Sequence, residues 1–564
     1  MSATSAARAE ARRAAFPDAI GAGGLRQALC WGLLALAWFG PLGERTLLGP
    51  DEGRYASIAL EMMRSGDWIT PRLNGFLYFE KPPLQYWMSA ASYHLLGVNA
   101  FAARLWPALA GFLTIVAVSF TGRRLWGPEA GAHAAMALAA TAWIVLNSHF
   151  LSLDMGLALF LTLTLCGFLL AQRDDAGPAQ QRHAMWATWA AMAGATLSKG
   201  LVGLLIPGAT LVLYSLLNGQ WAFWRRMHWR SGLALYLALA APWFIAVSLK
   251  NPGFFEFFFV HEHLQRYLTD EARRTGPLWY FVPILLVGFL PWTTLLPALA
   301  VLGARRDPQQ RFQPLRLLLI WSVFVLVFFS VSRSKLPSYI LPMFPALALL
   351  LAAHLERVDA TKLARHLALP VATWLAVLVG APFAGRFAPA DLPAAVLAPL
   401  ATAMAIGAAL FLVAAALARS ALARGRKTGA MLAISAGSVL ALSIAINGHD
   451  SHGRLKSSKE VVEALAPHLR ADTEVFSVAM YDQTLPFYLG RKVTLVAFTG
   501  EFAFGQRNDP QRWIPTIERF AERWREIADG AAMMPRAVHL ALQQHGLPMR
   551  IVFEDPRRVV VVKP

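Results

Sequence analysis

Residues 313–331 read QPLRLLLIWSVFVLVFFSV, a run with a single charged side chain. A helix that crosses a membrane needs about 20 mainly apolar residues, because it crosses roughly 30 Å of hydrocarbon at about 1.5 Å per residue. Similar runs recur along most of the chain. We predict about thirteen membrane spans, near residues 26–44, 102–121, 129–147, 150–171, 185–198, 201–217, 231–249, 278–302, 313–331, 338–354, 367–385, 393–418 and 429–446.

The composition predicts a polytopic α-helical membrane protein. Of the 564 residues, 56% are hydrophobic, whereas a soluble globular protein usually has about 45–50% apolar residues. The net charge of +18 is attributed mainly to cytoplasmic Lys and Arg, which also attract anionic membrane lipids. No nucleic-acid partner is expected, because no basic stripe lies in the soluble part. The two cysteines, Cys30 and Cys166, lie within apolar runs, which argues against a disulfide or a cysteine metal site.

The positions of the arginines predict the orientation in the membrane. Alternate connections such as TGRRLWG (residues 121–127) and RSALARGRKTG (residues 419–429) are rich in bases, as cytoplasmic loops are. The N-terminal residues have no apolar core next to their arginines, so they are interpreted as a cytoplasmic tail and not as a signal peptide. Everything after residue 446 is then outside, together with two longer loops near residues 45–100 and 250–277.

A change of composition near residue 447 predicts two domains. Residues 1–446 form the membrane domain, and residues 447–564 form a small external α/β domain. Five segments there resemble strands, namely TEVFSVAM, KVTLVAF, RAVHLALQ, MRIVFED and RRVVVVKP. The segment QRWIPTIERFAERWREIADGAAM resembles helix. Neither G-x-G-x-x-G nor a P-loop occurs in this domain, so no nucleotide site is predicted.

The first outer loop begins with GPDEGRYA at residues 49–56. Pro50 and Asp51 predict the start of a helix over residues 51–63, because acids are favoured at the positive end of a helix dipole. Taken alone, Asp51 and Glu52 are interpreted as caps of this helix. Its apolar side chains recur at helical spacing and are expected to face lipid at the membrane surface. They are Tyr55, Ile58, Ala59, Met62 and Met63.

Acids, bases and phenols gather on the outer side of the predicted topology. They are Asp51, Arg54, Tyr55, Tyr78, Glu80, Lys81, Asp154, Lys199, His261, Glu262, His263, Arg266, Arg333, Lys335 and Tyr339. Taken singly, Lys199, Arg333 and Lys335 are interpreted as bases that extend to the membrane interface. Together, several Lys and Arg at membrane depth suit a lipid-anchored phosphate, and carboxylates with tyrosines suit a sugar. Without a nucleotide motif, the expected donor is a polyprenyl-phosphate sugar.

Six motifs occur in order along the membrane part: GPDEGRYA, GDWITPRLNGFLYFEKPPLQYW, LSLDMGL, LSKG, HEHLQRY and SRSKLPSYILP. Together they resemble the bacterial lipid A aminoarabinose transferases, GT-C glycosyltransferases that are distantly related to protein O-mannosyltransferases. The pairing of DEGRY with FEKPPL is specific to this group and its near relatives. The resemblance implies a multi-span fold of the bacterial inner membrane, with amphipathic periplasmic helices and a periplasmic C-terminal α/β domain.

The resemblance also implies roles for single residues. Asp51 matches the catalytic carboxylate of GT-C enzymes. Lys81 and Arg266 match residues that are expected to hold the carrier phosphate. Arg54 and Tyr339 are weaker candidates for the same role.

Further matches concern the sugar and a metal ion. Tyr55, Tyr78 and Asp154 are candidates for lining the aminosugar pocket, where an acid could pair with the sugar ammonium. No cofactor is certain. Glu80 and His261 are the expected ligands if a divalent ion such as zinc is bound.

The implied activity is transfer of 4-amino-4-deoxy-L-arabinose from undecaprenyl phosphate to lipid A phosphate groups at the periplasmic face. This modification lowers the negative charge of lipopolysaccharide and gives resistance to cationic antimicrobial peptides such as polymyxin. The expected partners are the sugar donor, lipid A and membrane lipids, and the enzyme is expected to be a monomer.

A lipid A phosphate is already anionic at neutral pH, so Asp51 is expected to orient the substrates or to stabilise positive charge on the sugar. A hydroxyl acceptor would instead need Asp51 as general base. One alternative is therefore a related polyprenyl-phosphate glycosyltransferase that acts on another periplasmic lipid or protein. A transporter of lipid-linked oligosaccharide is a second alternative, but it predicts charges along a path through the bilayer centre.

Overall fold

The computed structural model describes residues 22–265, 275–387 and 394–564, and within them the chain is mainly helical. The helices are α1 (Ala22–Phe39), α2 (Asp51–Ser65), α3 (Leu84–Leu96), α4 (Ala100–Trp126), α5 (Pro128–Ala140), α6 (Ala142–Ser148), α7 (Asp154–Ala171), α8 (Pro178–Lys199), α9 (Val202–Asn218), α10 (Trp229–Lys250), α11 (Phe281–Gly288), α12 (Leu296–Ala304), α13 (Pro314–Val331), α14 (Phe344–Leu355), α15 (Ala360–Leu363), α16 (Ala368–Gly380), α17 (Ala394–Ala423), α18 (Lys427–Gly448), α19 (Asp450–Gly453), α20 (Lys459–Leu465), α21 (Leu485–Leu489), α22 (Ala503–Asn508), α23 (Ile517–Glu526) and α24 (Arg536–Gln544). A π-helical segment spans Glu256–Gln265, and 3-10 turns include Pro337–Met343 and Gly500–Phe502.

The apolar helices confirm the predicted class of polytopic α-helical membrane protein. Among the described residues, eight helices are long and apolar enough to cross a membrane, or ten if each of two bent helix pairs is one span. Helices α1, α8 and α9 occupy three further predicted spans but are shorter or less apolar than these ten. The count of about thirteen spans therefore stays a prediction.

The two bent pairs meet at their breaks. Helices α5 and α6 bend by 65° at Thr141, and helix α11 and residues Thr293–Ala304 bend by 111°. The N–H of Ala142 at the first break donates to the carbonyl of Leu290 at the second, at 3.1 Å. Backbone groups that a break releases inside apolar surroundings must find such partners.

Five strands form a mixed sheet near the C-terminus, in agreement with the predicted α/β domain. They are β3 (Glu474–Val478), β4 (Thr494–Val496), β5 (Gly530–Met534), β6 (Arg550–Glu554) and β7 (Val559–Val562). The order is β4-β3-β5-β7-β6, with β3 parallel to β4 and β5, and β7 antiparallel to β5 and β6. The domain boundary at residue 446 stays a prediction.

Two segment assignments in this domain were wrong. The segment RAVHLALQ forms helix α24, in which His539 and Leu542, three residues apart, are the buried side chains. The GAAM at the end of the predicted helical segment belongs to β5, whose residues are all buried. A central strand buried on both faces shows no alternation of polar and apolar residues, so its pattern is not distinguishable from that of a helix.

A short hairpin in the first outer loop is attached to the C-terminal domain. Strands β1 (Arg72–Leu73) and β2 (Phe76–Leu77) pair antiparallel. The turn residues Asn74 and Gly75 have φ of 52° and 86°, which is the backbone that Asn-Gly favours in a two-residue hairpin. The Asn74 amide donates to the carbonyl of Val493 at 2.7 Å and accepts from its N–H at 2.8 Å.

Helix α2 packs against protein on its apolar side. Tyr55, Ile58, Ala59 and Met62 are buried in a core that also contains sheet residues such as Val475. The prediction that these side chains face lipid is wrong, because an apolar helical stripe has the same pattern whether protein or lipid covers it. Helix α2 is thus held between the membrane helices and the C-terminal domain.

Candidate functional site

The two acids that begin helix α2 have different surroundings. The Glu52 carboxylate is buried against Arg104 of helix α4, with Oε1 2.7 Å from Nε and Oε2 2.8 Å from NH2. It also accepts the N–H groups of Leu48 and Leu151, each at 3.0 Å. Burial alone would raise the pKa of Glu52, but the Arg104 guanidinium outweighs this effect and holds the pKa below its usual range. Glu52 is therefore ionised and ties α2 to α4, a role that helix capping does not describe.

Arg104 also organises the chain that leads into helix α2. Its NH1 donates to the carbonyls of Leu42 and Arg45 at 3.0 and 2.9 Å, and its NH2 donates to that of Thr46 at 2.7 Å. All the donor groups of a fully buried guanidinium thus have partners. This network fixes the backbone just before Asp51.

The Asp51 carboxylate is half exposed, at 49%. Its Oδ1 accepts from Arg54 NH1 at 2.8 Å. Arg54 NH2 donates in turn to Glu501 of the C-terminal domain at 2.5 Å, and both of these side chains are only 11% exposed. The other oxygen of Glu501 accepts from Gln483 at 3.2 Å. Asp51 is thus an accessible acid whose position is set by the mostly buried guanidinium of Arg54.

A second acid–base pair lies where helices α7 and α8 meet the Pro337–Met343 turn. Lys199 forms an ion pair with Oδ1 of Asp154, and Ser338 donates to Oδ2 at 2.6 Å. The Lys199 ammonium also lies 4.4 Å from the centre of the Tyr339 ring, a cation–π contact. Both oxygens of the Asp154 carboxylate therefore have a fixed donor.

Buried tyrosines lie in the same region as the acids. Burial raises the pKa of Tyr55 well above its ordinary value, and the charges of Asp51 and Asp154 both add to the effect, so both acids lie near this phenol. Burial likewise raises the pKa of Tyr78, with Glu80 adding to it. Both phenols are neutral at physiological pH and can donate hydrogen bonds to sugar hydroxyls.

Most of the predicted site residues lie in this one region. They are Asp51, Arg54, Tyr55, Tyr78, Glu80, Lys81, Asp154 and Tyr339. Lys81 is half-buried; its Nζ donates to the carbonyl of Glu80 at 2.7 Å, and its charge acts on Asp154. Arg266 lies outside the described residues, and so does the side chain of His261. The roles predicted for these residues stay predictions.

Of the two predicted metal ligands, Glu80 and His261, only the side chain of Glu80 lies in the described part of the chain. Within residues 22–265, 275–387 and 394–564, no group of three or more described His, Cys, Asp or Glu side chains could hold a metal ion. Glu80 alone supplies too few ligands for zinc, which usually takes three or four from the protein. A metal shared by Glu80 and His261 stays a prediction.

Two lysines interpreted as interfacial have other positions. Lys199 is mostly buried and paired with Asp154. Lys335 is buried and donates to the carbonyls of Ser330 and Ser332, both at 2.6 Å, at the end of helix α13. The interpretation was wrong for both, because a lysine next to an apolar run can pair inside the protein as well as at the membrane interface.

Several residues of the site were missed from the sequence. Arg104 is the one charged residue in the first part of an apolar helix, a position that usually marks a paired or functional base. Ser338 lies inside the motif SRSKLPSYILP, next to Tyr339. Glu501 and Gln483 lie in the C-terminal domain, where no motif marks them.

Comparison with known families and solved structures identifies the relatives of this chain. The family model of the aminoarabinose transferase C-terminal domain matches residues 461–563. The model of dolichyl-phosphate-mannose-protein mannosyltransferase matches residues 45–264. The crystal structure of ArnT from Cupriavidus metallidurans bound to undecaprenyl phosphate is similar with a TM-score of 0.91 at 37% identity, over 96% of this chain and 98% of that one. This chain belongs to the ArnT family.

Curated relatives carry the corresponding enzyme name. The undecaprenyl phosphate-alpha-4-amino-4-deoxy-L-arabinose arabinosyl transferase of Aeromonas salmonicida is 38% identical over 347 residues, 60% of this chain and 61% of the relative. That of Pseudomonas aeruginosa is 35% identical over 330 residues, 57% of this chain and 58% of the relative. The matched region thus spans about three fifths of each curated relative. The predicted family is confirmed.

Proposed function

We propose that this ArnT-family protein transfers 4-amino-4-deoxy-L-arabinose from undecaprenyl phosphate to a phosphate group of lipid A. The observation that carries the proposal is the similarity, over 98% of its length, to an ArnT crystallised with undecaprenyl phosphate. The half-exposed Asp51, the partly buried bases Arg54, Lys81 and Lys199, and the buried phenols of the same region support a sugar-transfer site. By covering a phosphate with an aminosugar, the reaction would lower the negative charge of lipopolysaccharide and so weaken the binding of cationic peptides such as polymyxin.

The carrier phosphate is assigned to Lys81 and Arg266, with Tyr339 as a weaker candidate. Lys81 is half-buried and acts electrostatically on Asp154, so an anion next to Lys81 would sit beside the phenols that suit the sugar. Arg54 is less suited to the phosphate, because its positive charge is already offset by the carboxylates of Asp51 and Glu501. We assign Arg54 to orienting Asp51.

The reaction is a displacement at the anomeric carbon. A phosphate oxygen of lipid A forms a bond to C1 of the sugar while the bond from C1 to undecaprenyl phosphate breaks, and the electron pair leaves with the carrier phosphate. The acceptor is already ionised, so no proton needs to be removed. Asp51 then faces the positive charge that develops on the sugar, and Lys81 and Arg266 stabilise the charge that grows on the leaving phosphate.

The aminosugar is assigned to Tyr55, Tyr78 and Asp154. The two phenols supply donors, and Asp154 supplies a carboxylate that the sugar ammonium would share with Lys199 and Ser338. The sugar ammonium and the Lys199 ammonium repel each other, so we expect the sugar ammonium to approach Oδ2, the oxygen that accepts from the neutral Ser338.

We place the protein in the bacterial inner membrane with its N-terminus in the cytoplasm and its C-terminal domain in the periplasm. The arginine-rich connections support this orientation. The C-terminal domain contacts the same first loop that holds Asp51, which puts both on one side of the membrane. We propose that the enzyme acts as a monomer.

The test is transfer by the purified protein in nanodiscs, with undecaprenyl-phosphoryl aminoarabinose and lipid A. Mass spectrometry should detect lipid A that has gained one aminopentose, and Asp51→Asn should abolish the gain while the protein still folds. Absence of product with intact donor and folded wild-type protein would refute the proposed acceptor or sugar. Product formation by Asp51→Asn at the wild-type rate would remove Asp51 from the mechanism.

A further inference from the structure

Glu501 is the residue of the C-terminal domain that reaches the candidate catalytic acid most directly. It lies in the Gly500–Phe502 turn, and its Oε2 is 2.5 Å from Arg54 NH2. Arg54 NH1 is 2.8 Å from Asp51. One guanidinium therefore bridges the mostly buried carboxylate of Glu501 and the half-exposed carboxylate of Asp51 on helix α2.

The side of Glu501 that faces away from Arg54 is also held. Its Oε1 accepts from the Gln483 amide at 3.2 Å, and the Gln483 backbone carbonyl accepts from Ser57 on helix α2 at 3.0 Å. The neighbouring Phe502 ring packs edge-on against Tyr481 and Phe76, with centroid distances of 4.8 and 5.6 Å. The Glu501 carboxylate is thus fixed by packing and by hydrogen bonds on both sides.

Close backbone packing keeps helix α2 and the Glu501 region in register. A Cβ atom on Gly53 would lie 2.5 Å from the nitrogen of Thr484 and 2.6 Å from the carbonyl carbon of Gln483. No side chain fits in that contact, so the first turn of α2 lies directly on the C-terminal domain. A displacement of Glu501 relative to Asp51 would have to open this contact.

We propose that Glu501 is a positioning residue for sugar transfer, which holds Arg54 and through it the Asp51 carboxylate in the reactive geometry. The C-terminal domain thereby completes the active site. The inference rests on the proposed function for its kinetic test. A purely structural contact between the two domains is the competing explanation, and it predicts a loss of stability without a specific loss of turnover.

The kinetic test compares Glu501→Gln and Glu501→Asp with wild type, with Glu474→Gln as matched control. Glu474 is also paired with an arginine in the same domain, Arg523, but this pair lies at the start of strand β3, with side chains 35% and 47% exposed. A misplacement of about 1 Å can lower turnover by roughly 100-fold, so we expect kcat of Glu501→Gln to fall by about that factor with little change in the KM for the donor. Glu501→Asp should recover part of kcat, and Glu474→Gln should match wild type.

A pH profile separates positioning from structure. Burial raises the pKa of Glu501, Glu80 adds to the effect and Arg54 opposes it. The other groups that face Glu501 are Gln483 and the phenol of Tyr481. As pH falls through the raised pKa, Glu501 gains a proton and the ion pair to Arg54 is lost. Wild-type kcat should therefore decline on the acid side, and Glu501→Gln should lack that decline.

An activity-independent readout keeps this inference separate from the proposed function. Phenylglyoxal modifies accessible arginines, and peptide mass spectrometry reports the extent at Arg54. We expect slow modification in wild type and in Glu474→Gln, and at least several-fold faster modification in Glu501→Gln. Absence of sugar transfer by the wild-type protein would overturn the proposed function but not the role of Glu501. Unchanged Arg54 modification, or unchanged kcat in an active enzyme, would overturn the role of Glu501.

Discussion

The ion pair between Glu52 and Arg104 should decide whether the first outer loop folds. We consider Glu52→Gln, which keeps the shape of the side chain and removes its charge. In wild type the carboxylate accepts two hydrogen bonds from Arg104 and one each from the N–H groups of Leu48 and Leu151. Arg104 is 0% exposed and Glu52 is 4% exposed, so in the variant the guanidinium stays buried without a counter-charge.

The expected loss of stability follows from that burial. Removing one partner of a buried ion pair typically costs about 3–5 kcal/mol. The amide oxygen of Gln can still accept from one donor, and Arg104 keeps its three carbonyl partners. We therefore expect about 3 kcal/mol for Glu52→Gln, and about 5 kcal/mol for Glu52→Ala, which also leaves the N–H groups of Leu48 and Leu151 without a partner.

The assay is the half-life of the purified protein in detergent at a fixed temperature, followed by the fluorescence of its 19 tryptophans. Membrane proteins usually unfold irreversibly, so a rate is the appropriate measure. If the whole effect falls on unfolding, about 3 kcal/mol shortens the half-life roughly 100-fold. Glu474→Gln removes the exposed pair with Arg523, which is worth only about 0–1 kcal/mol. A Glu52→Gln half-life equal to that of this control would refute the reasoning.

The same pair predicts a pH dependence. In the folded protein, burial alone would raise the pKa of Glu52. The charge of Arg104 outweighs burial, so the pKa is lowered. Its stabilisation is therefore complete above the unfolded value of about 4.3 and is lost as pH falls through the lower folded value. The ratio of wild-type to Glu52→Gln half-lives should be constant between pH 7 and pH 5 and should decrease in more acidic buffer. A ratio that rises on acidification would contradict this sign.

Three further predictions concern the site. In an ordinary helix, Gly53→Ala would stabilise the protein by about 1 kcal/mol. Here we expect it to destabilise the protein by about 1–3 kcal/mol and to lower kcat, because the new Cβ meets the Thr484 backbone. A longer half-life of the variant would refute the contact. Lys199→Met should have a shorter half-life than the double variant Lys199→Met/Asp154→Asn, because the single variant leaves the Asp154 carboxylate without its opposite charge. Equal half-lives would exclude loss of the ion pair as the cause of the destabilisation. If Glu80 binds a zinc ion together with the predicted second ligand, Glu80→Gln should lower the zinc content measured by mass spectrometry, and unchanged content would remove it from the metal site.

The class of fold and the clustering of most candidate residues were predictable because their signals are local, whereas the roles of these residues stay predictions. A long apolar run indicates a span wherever it occurs, and DEGRY with FEKPPL concentrates acids, bases and phenols in one loop. The breaks in the two bent helix pairs were not predictable in the same way. The continuous apolar run around Thr141 reads as one helix, and the partner that its break requires, Leu290, is about 150 residues away.

The partners of the site residues could not be predicted, because they come from distant parts of the chain. Glu52 was interpreted as a helix cap since nothing near it in sequence shows that Arg104 lies against its carboxylate. Glu501 belongs to a domain without recognisable motifs and reaches Arg54 only through the packing of that domain on helix α2. Charge pairing of this kind is visible only in three dimensions.

The attachment of Glu52 to Arg104 has a consequence for substrate exchange. Release of helix α2 from α4 would break the two hydrogen bonds from Arg104 to Glu52 together with those from the N–H groups of Leu48 and Leu151, so this state is sparsely populated. Asp51, one residue away, is therefore the stationary part of the candidate site, which in the proposed function admits and releases bulky lipids. Conformational steps that limit turnover must then take place in other parts of the protein, and substitutions that change the rate of lipid exchange should be found there and not in helix α2.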